Sequence, residues 1–599
     1  MEENTIESLP LKHDGSEFSL DDIQNNPEQE EIAYLVLHKL KEWLDFPTQK
    51  RLNPKLTFQP LEMTVIGSGG TGKTFLIKVI VSTLKRMFET NSDKVRTTVI
   101  AAPTGAAAFN TNGRTCHSKF KISITNPGNG LQNEQLDALQ KDLKYTLFLC
   151  IDERSMLSQV VLGAIDKHTR YCAKDNKNKN KPFGGIPIVM LTGDDHQLPS
   201  VLKNNSGHGA IYCFEKINGK VTNDEQVVRK MGKDAFLRAS KTVRKLKTIK
   251  RLDKDGTEDL KQILEELRNG GVTQEHAEQL TKLHIRHFLD NRPKLRQLED
   301  EALYLFATNE RRKDHNYRRL SELSGEENPI CLLKTKYTNN MHYGKGIKEH
   351  FSNNDSISSS TIICVGAKVC IQSRNFMPKW GLYNGSLGTV VGIHFEQGTS
   401  PTTQDLPSFV VVDFPQYVGP SWLDDQRTYV PIPTISVPCE KKCCLATFIP
   451  LCLSFGRTIH TFQGQEAGPT KPIKSLVVDV GSTGFEGRNP GTLYTAISRA
   501  STIGNGNPLN SALYFNGELE YSRLTDVRYK RLKGKYKNQE KEEYDKVKFR
   551  TNWINHLEKN LDSRKHFTKS QKLSLRHWAM NTTVSHEQLD EILNFHKQS

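Results

Sequence analysis

Long apolar runs are missing from this chain. No stretch of its 599 residues reaches the ~18 apolar residues that span a bilayer, so no membrane partner is expected. The best run, Cys443 to Gly456, is short and contains Pro450. The N-terminus has no basic segment followed by an apolar one, so no secretory signal is expected. Its first thirty residues carry nine Asp and Glu against Lys12, which also argues against an Arg-rich transit peptide. Cysteine is scarce. There are eleven, an odd number, with no CxxC pair. Cys439, Cys443 and Cys444 cluster, but no His stands at finger-like spacing. A reduced, soluble intracellular protein is the expectation. No internal repeat of solenoid period is found either.

What is present narrows the class further. Hydrophobic residues are 36% and charged residues 25%, enough apolar material for real cores. The length suggests roughly three to five domains. Lys and Arg number 83 against 68 acids, a net charge of +15. Such a balance favours a polyanionic partner, nucleic acid first, although charge alone is weak evidence.

Residues 1–25 read as an acidic, flexible leader. Ile32, Leu35, Val36, Leu40 and Leu44 recur at helical spacing. Apolar strands are expected at 62–66, 95–101, 146–151 and 186–191, separated by helical segments. That alternation indicates a doubly wound α/β sheet. Residues 222–251 hold ten basic and three acidic residues, and could track phosphates or form a solvated helix face. Residues 360–440 turn to β-branched runs with Gly and Pro, as in a small all-β insertion. Beyond 520 the chain is basic and reads as helical, with 18 Lys and Arg against 10 acids.

One segment carries chemistry by itself. Gly67-Ser68-Gly69-Gly70-Thr71-Gly72-Lys73-Thr74 fits G-x-x-x-x-G-K-[ST] in full, after an expected strand and before an expected helix. Chance predicts roughly 0.02 such matches in a chain this long. The glycines let backbone N–H groups turn toward phosphate oxygens, and the helix N-terminus adds positive potential. Lys73 is expected on the β- and γ-phosphates and Thr74 on Mg²⁺, with ATP the cofactor. Downstream, an apolar run ends in Asp152-Glu153. By itself such a run is an ordinary strand meeting solvent. After a phosphate loop, Asp152 is expected in the Mg²⁺ shell and Glu153 on the attacking water. Gly193-Asp194-Asp195-His196-Gln197 follows a third strand, where Gln197 could sense the γ-phosphate.

These residues together resemble the PIF (petite integration frequency) family of superfamily 1 subgroup B DNA helicases, relatives of RecD. The likeness runs from about residue 25 to 516, in family order. Asn26-Pro-Glu-Gln29 resembles the upstream element whose Gln reads adenine. Ala102 to Ser118 resembles the single-strand-contacting motif, and Pro182-Phe-Gly-Gly-Ile186 the segment that separates this family from its relatives. Arg251 stands at the motif IV arginine. Phe306-Ala-Thr-Asn309 and Asn316 fit the next helix. Gly381-Leu-Tyr-Asn-Gly385 resembles part of a β-barrel-like insertion. Thr458-Ile-His-Thr-Phe-Gln-Gly464 resembles motif V and Tyr494 to Ala500 motif VI. Motif V departs from the family at Thr461 and Phe462, where Lys and Ser are usual, and Ser200 replaces the second Pro of motif III.

The resemblance implies two RecA-like P-loop NTPase domains of parallel sheet flanked by helices, with a small SH3-like β-barrel insertion in the second. Expected boundaries are 1–25 for the leader and 26–220 for the first domain, with a small insertion at about 105–140. The second domain would take 221–310 and 445–520, the β-rich insertion 311–444 and the basic extension 521–599. Arg251 and Arg499 would meet charge developing on the γ-phosphate. Gln29, Asp194, Gln463 and Gly464 would also contact nucleotide, beside Gly67 to Thr74. Thr104, Gly105, His117, Thr458 and His460 would contact DNA. The implied activity is ATP-dependent 5′→3′ unwinding by a monomer that tracks single-stranded DNA at a duplex or fork. Roles in repair, recombination and telomere maintenance follow, with a nuclear location in a eukaryote. Two other readings remain open: the helicase portion of a Helitron-type transposon protein, and an ATP-switched DNA-binding protein that does not unwind.

Overall fold

The computed structural model describes residues 16–598 except 90–94, 124–125, 174–178, 201–223, 250–257, 340–350, 352–356, 373–375, 400–404, 440–442, 483–484, 487–488, 518, 520, 522–523, 525–549 and 563–565. The backbone divides into two units. The first takes Met1–Lys254, Gly487–Gly491 and Tyr529–Ser599, and the second Asp255–Glu486 and Thr492–Arg528.

The first unit is built on six parallel strands: β1 (Leu61–Gly67), β2 (Thr98–Ala102), β3 (Arg114–Thr115), β4 (Phe148–Ile151), β5 (Ile188–Gly193) and β6 (Val243–Leu246). Their order is β3-β2-β4-β5-β1-β6. Strands such as Phe148-Leu-Cys-Ile are apolar throughout because both faces are covered. Successive side chains point to opposite faces. Met63, Val65, Cys150, Ile188 and Met190 share one core with α1 (Pro27–Leu52) and α2 (Lys73–Phe88). Ile66, Leu149, Ile151, Val189 and Leu191 share the other with residues of the helices Gln159–Cys172 and Asp224–Ala239.

The second unit carries a smaller parallel sheet of β7 (Leu303–Phe306), β18 (Gly456–Thr458), β19 (Leu476–Asp479) and β20 (Leu513–Phe515), ordered β18-β7-β19-β20. Between β7 and β18 the chain first forms the 15-residue helix Asn309–Leu323, and the described strands that follow pair antiparallel. β8 (Cys331–Lys334) pairs with β10 (Ser360–Ile363). β9 (Lys336–Asn339), β15 (Ile435–Pro438) and β16 (Cys444–Phe448) form a second sheet. β11 (Lys368–Ile371), β12 (Leu387–His394), β13 (Phe409–Asp413), β14 (Tyr429–Pro433) and β17 (Leu451–Leu453) form a third, ordered β14-β13-β12-β11-β17. Among the described residues no pairing joins β14 to β17.

Four boundaries differ from the sequence expectation. The second domain does not begin at 221, because β6 pairs in parallel with β1 from Thr64↔Val243 to Gly67↔Leu246. Its sequence, Val-Arg-Lys-Leu, is too short and too charged to read as a strand, and its place beside β1 makes it one. The insertion spans β8 to β17 rather than 311–444. The helix Asn309–Leu323 belongs to the parallel sheet, where Asn316 Nδ2 donates to Leu453 O and Gly456 O and Oδ1 accepts from Gly456 N. The leader is not flexible throughout: Phe18, Leu20 and Ile23 are buried in the first core. Nor is 521–599 a separate extension. Leu575, Ala579, Val584 and Leu589 belong to that same core, and Trp553 and Leu557 to the core on the opposite face.

Candidate functional site

In an open parallel sheet, ligands gather beyond the carboxyl ends of the strands. The first unit follows this rule. Gly67 ends β1 and opens the phosphate loop, Thr104 and Gly105 follow β2, Asp152 and Glu153 follow β4, and Asp194 follows β5.

The phosphate loop turns through Gly70 and Gly72, at φ of 85° and 83°. Thr71 Oγ1 donates to Ser68 O at 2.9 Å and closes the turn. Lys73 starts α2, and its Nζ donates to Gly67 O at 2.8 Å and Ser68 O at 3.0 Å. Those carbonyls hold the ammonium at the loop. Gln29 reaches the same place from α1. Its backbone N–H is capped by Asn26, and its Nε2 donates to Gly72 O at 3.2 Å. A Cβ on residue 72 would stand 2.5 Å from Gln29 Nε2, and the φ of 83° there is one that glycine adopts without strain.

Asp152 is buried and holds three donors. Thr192 Oγ1 donates to its Oδ1, Glu153 N donates to the same oxygen at 2.9 Å, and Thr74 Oγ1 donates to Oδ2 at 3.5 Å. The Thr74–Asp152 separation fits a divalent cation shell, since neighbouring oxygens of an octahedral Mg²⁺ shell lie about 3 Å apart. Glu153 sits at φ 51°, in the left-handed region, where it turns the chain into the short helix Arg154–Met156. Such a conformation in a non-glycine residue is costly and gathers at working sites. Gln197 is 2% exposed; its Nε2 donates to Asp194 Oδ2 at 3.4 Å, and its Oε1 has no partner among the described residues.

Other expected residues are placed individually. Thr104 caps Gly105–Asn110 through its hydroxyl, which accepts from Ala107 N. His117 lies in the short helix Cys116–Lys119, and burial pushes its pKa down. In the second unit, Thr458 ends β18 and its hydroxyl donates to Thr461 Oγ1 at 3.1 Å. Thr461 in turn donates to Thr458 O at 2.9 Å, and Phe462 is fully buried, so both departures from motif V are used within the fold. His460 is pushed down to about 4 by burial. Gln463 is buried, and Gly464 at φ 84° completes the turn. Arg499 is 3% exposed, with Nε and Nη2 donating to Ser498 Oγ. Arg251 lies outside the described residues. The basic stretch at 229–251 is partly committed: Arg238 pairs with Glu62 at 2.9 Å and Arg244 is buried.

Two groups escaped the sequence reading. Thr192 anchors Asp152, and only its position at the end of β5 identifies it. Arg154, fully buried, pairs with Asp195, whose Oδ1 also accepts from Trp553 Nε1 at 3.1 Å. The Arg follows Asp-Glu directly, but its acid is 41 residues away and its tryptophan lies near the C-terminus. Cys439, Cys443 and Cys444 do converge, with sulfurs within 4.8 Å, and the group includes no His, Asp or Glu among the described residues.

A parallel sheet whose first strand runs into a phosphate loop, with Asp-Glu at the end of a nearby strand, defines a P-loop NTPase of RecA-like architecture. Residues 52–278 match the model of the PIF1-like helicase family. The chain is 35% identical over 159 residues to the ATP-dependent DNA helicase RRM3 of Saccharomyces cerevisiae, across 25% of this chain and 20% of that protein. It is 24% identical over 524 residues to the ATP-dependent DNA helicase PIF7 of Trypanosoma brucei brucei, across 79% of this chain and 47% of that one. The chain thus spans less than half the length of either relative. The crystal structure of Pif1 helicase from Candida albicans shares the fold, with a TM-score of 0.54 and 21% identity over 84% of this chain and 98% of that one. Residues 52–278 are thus similar to the PIF1-like helicase family, and the likeness in fold extends over most of the chain.

Proposed function

We propose that this chain is an ATP-driven DNA helicase that moves 5′→3′ along single-stranded DNA and unwinds duplex or forked DNA. The observation that carries the reading is the gathering of Lys73, Thr74, Asp152, Glu153 and Gln197 at one edge of one sheet. The likeness of residues 52–278 to PIF1-like helicases supports the DNA substrate. Roles in repair, recombination and telomere maintenance belong to the same reading.

Lys73 exchanges the carbonyls of Gly67 and Ser68 for phosphate oxygens when ATP enters. The loop N–H groups and the N-terminus of α2 share that negative charge. Gln29 orients the adenine end through its amide. Thr74 and Asp152 would hold Mg²⁺, which supplies further charge neutralisation at the phosphates when bound. Glu153 orients the attacking water and accepts its proton. Gln197 presents Oε1 to the same water, and Asp194 holds its Nε2. Arg251 and Arg499 supply positive charge that is effective only as the γ-phosphoryl group departs, a contribution of about 10³–10⁵ in rate in comparable enzymes. Gln463 and Gly464 form a turn to which the resemblance assigns nucleotide contact. Thr104, Gly105, His117, Thr458 and His460 contact the strand. Both histidines are biased to the neutral form, so their contribution is hydrogen bonding rather than charge.

Lys73→Ala tests the reading. ATP hydrolysis and unwinding should be lost while single-stranded DNA binding, read by fluorescence anisotropy, is largely kept. Persistent ATP-dependent unwinding would show the assignment of the site to be wrong.

A further inference from the structure

The C-terminal segment reaches back to the loop that carries Gln197. Residues 550–559 are helical. Arg550, 8% exposed, donates from Nε to Asp195 O at 2.9 Å and from Nη2 to Gln197 O at 3.1 Å. Trp553, 1% exposed, donates from Nε1 to Asp195 Oδ1, and the Arg154 guanidinium lies 5.9 Å from its ring centroid. Asp195 therefore receives Arg154, Trp553 and Arg550 at three different oxygens. The helix is pinned on its far side as well. His556 Nε2 and Ser240 Oγ are 3.0 Å apart, and Asp562 N donates to Val243 O at the edge of the sheet.

A guanidinium placed on two backbone carbonyls fixes a loop in a way that no side-chain contact does. It holds the peptide planes of residues 195 and 197, and so sets the Cα–Cβ direction of Gln197. Within the loop Gln197 N donates to Asp194 O at 3.2 Å, His196 N to Asp194 Oδ1 at 3.2 Å and Gln197 Nε2 to Asp194 Oδ2 at 3.4 Å, and the two Arg550 bonds tie this turn to the C-terminal segment. The same guanidinium touches Gly491, at φ 97°. A Cβ there would meet Arg550 Nη2 and His196 O, each at 2.6 Å. Gly491 immediately precedes Thr492–Ile497, the helix that leads to Arg499.

We propose that Arg550 and Trp553 are positioning residues for nucleotide hydrolysis, holding the Asp195–Gln197 backbone so that Gln197 is aimed at the γ-phosphate. The C-terminal segment, far from every ATPase motif in sequence, is then part of the hydrolytic apparatus of the first unit. This inference rests on the proposed ATP hydrolysis.

The test uses the full chain with ATP and single-stranded DNA. Arg550→Ala should lower kcat about tenfold, with nucleotide affinity and DNA affinity changed less than about twofold. Arg550→Lys, which keeps the charge but not the two-pronged geometry, should recover only part of the rate. Turnover is expressed per nucleotide-binding site, counted with a fluorescent ADP analogue. A merely structural defect would reduce the number of sites and leave turnover per site unchanged, and that result would overturn the inference. If Arg550→Ala does not fold, Trp553→Phe removes a single donor and keeps an aromatic ring. It should lower turnover per site less than Arg550→Ala but measurably, and an unchanged rate would likewise overturn the inference. Absence of ATP turnover in the unmutated chain would instead refute the functional reading beneath it.

Discussion

The buried pair Arg154–Asp195 gives a quantitative test of how the motif III loop is held. Arg154 is 0% exposed, and its Nε and Nη1 have no partner among the described residues. Among the described residues Asp195 is its one charged partner, with the Trp553 ring beside it. Asp195, in contrast, keeps the Trp553 N–H if the arginine is removed. The two single variants should therefore be unequal. Asp195→Asn leaves a buried cation facing a neutral amide whose NH₂ must oppose one of two donors, and should cost about 3–5 kcal/mol. Arg154→Met leaves a carboxylate with one strong donor and should cost about 2–3 kcal/mol. The double variant Arg154→Met/Asp195→Asn restores neutrality and should cost less than Asp195→Asn alone. A coupling of at least about 2 kcal/mol closes the cycle. Hydrogen exchange at the β4 amides, followed as urea is raised, reads the first unit directly. Single variants that each cost under about 1 kcal/mol, or costs that simply add, would refute the reasoning.

Two further outcomes concern the second unit. Asn316→Ala should destabilise it by about 2–3 kcal/mol, because three buried bonds to Leu453 and Gly456 disappear together and their backbone groups are left unpaired; hydrogen exchange at Gly456 would rise, and unchanged protection would count against this role. His315 is buried against Tyr304, with Arg318, Arg319 and Lys368 nearby, and burial pushes it down to about 4. In the unfolded chain it takes a proton below pH 6.5, while the folded form refuses one until about pH 4, so its contribution is complete above 6.5 and lost as pH falls between those values. The loss is at most about 3 kcal/mol. Thermal melts from pH 7 to 4.5 should fall less steeply in His315→Gln, and parallel curves would contradict the assignment.

The residues of the candidate site could be picked out because they are local in sequence. Eight consecutive residues form the phosphate loop, and Asp152-Glu153 ends an apolar run, so spacing alone identified them. The strands that carry them were legible for a related reason: parallel strands buried on both faces read as continuous apolar runs. β6 was not, since Val-Arg-Lys-Leu becomes a strand only through its partner β1. The insertion limits were misplaced because the helix Asn309–Leu323 is charged on its open side, and its attachment through Asn316 is a long-range contact. The C-terminal segment misled for the same reason. Its composition is that of a solvated basic tail, yet Trp553, Leu557 and Leu589 are core residues. Composition reports average solvation, whereas a few apolar anchors decide where a helix docks. Arg154, Asp195, Arg550 and Trp553 come together from three distant segments, and no periodicity in one sequence marks such a constellation.

The central claim is that ATP hydrolysis at the Lys73 site drives directional unwinding of DNA. A short labelled duplex with a single-stranded tail at either the 5′ or the 3′ side, mixed with the chain, ATP and Mg²⁺, tests it most directly. Strand separation should require the 5′ tail and ATP, and should be absent with Lys73→Ala. Strict dependence on a 3′ tail would contradict the direction, and no separation of either substrate despite ATP hydrolysis would contradict the helicase itself.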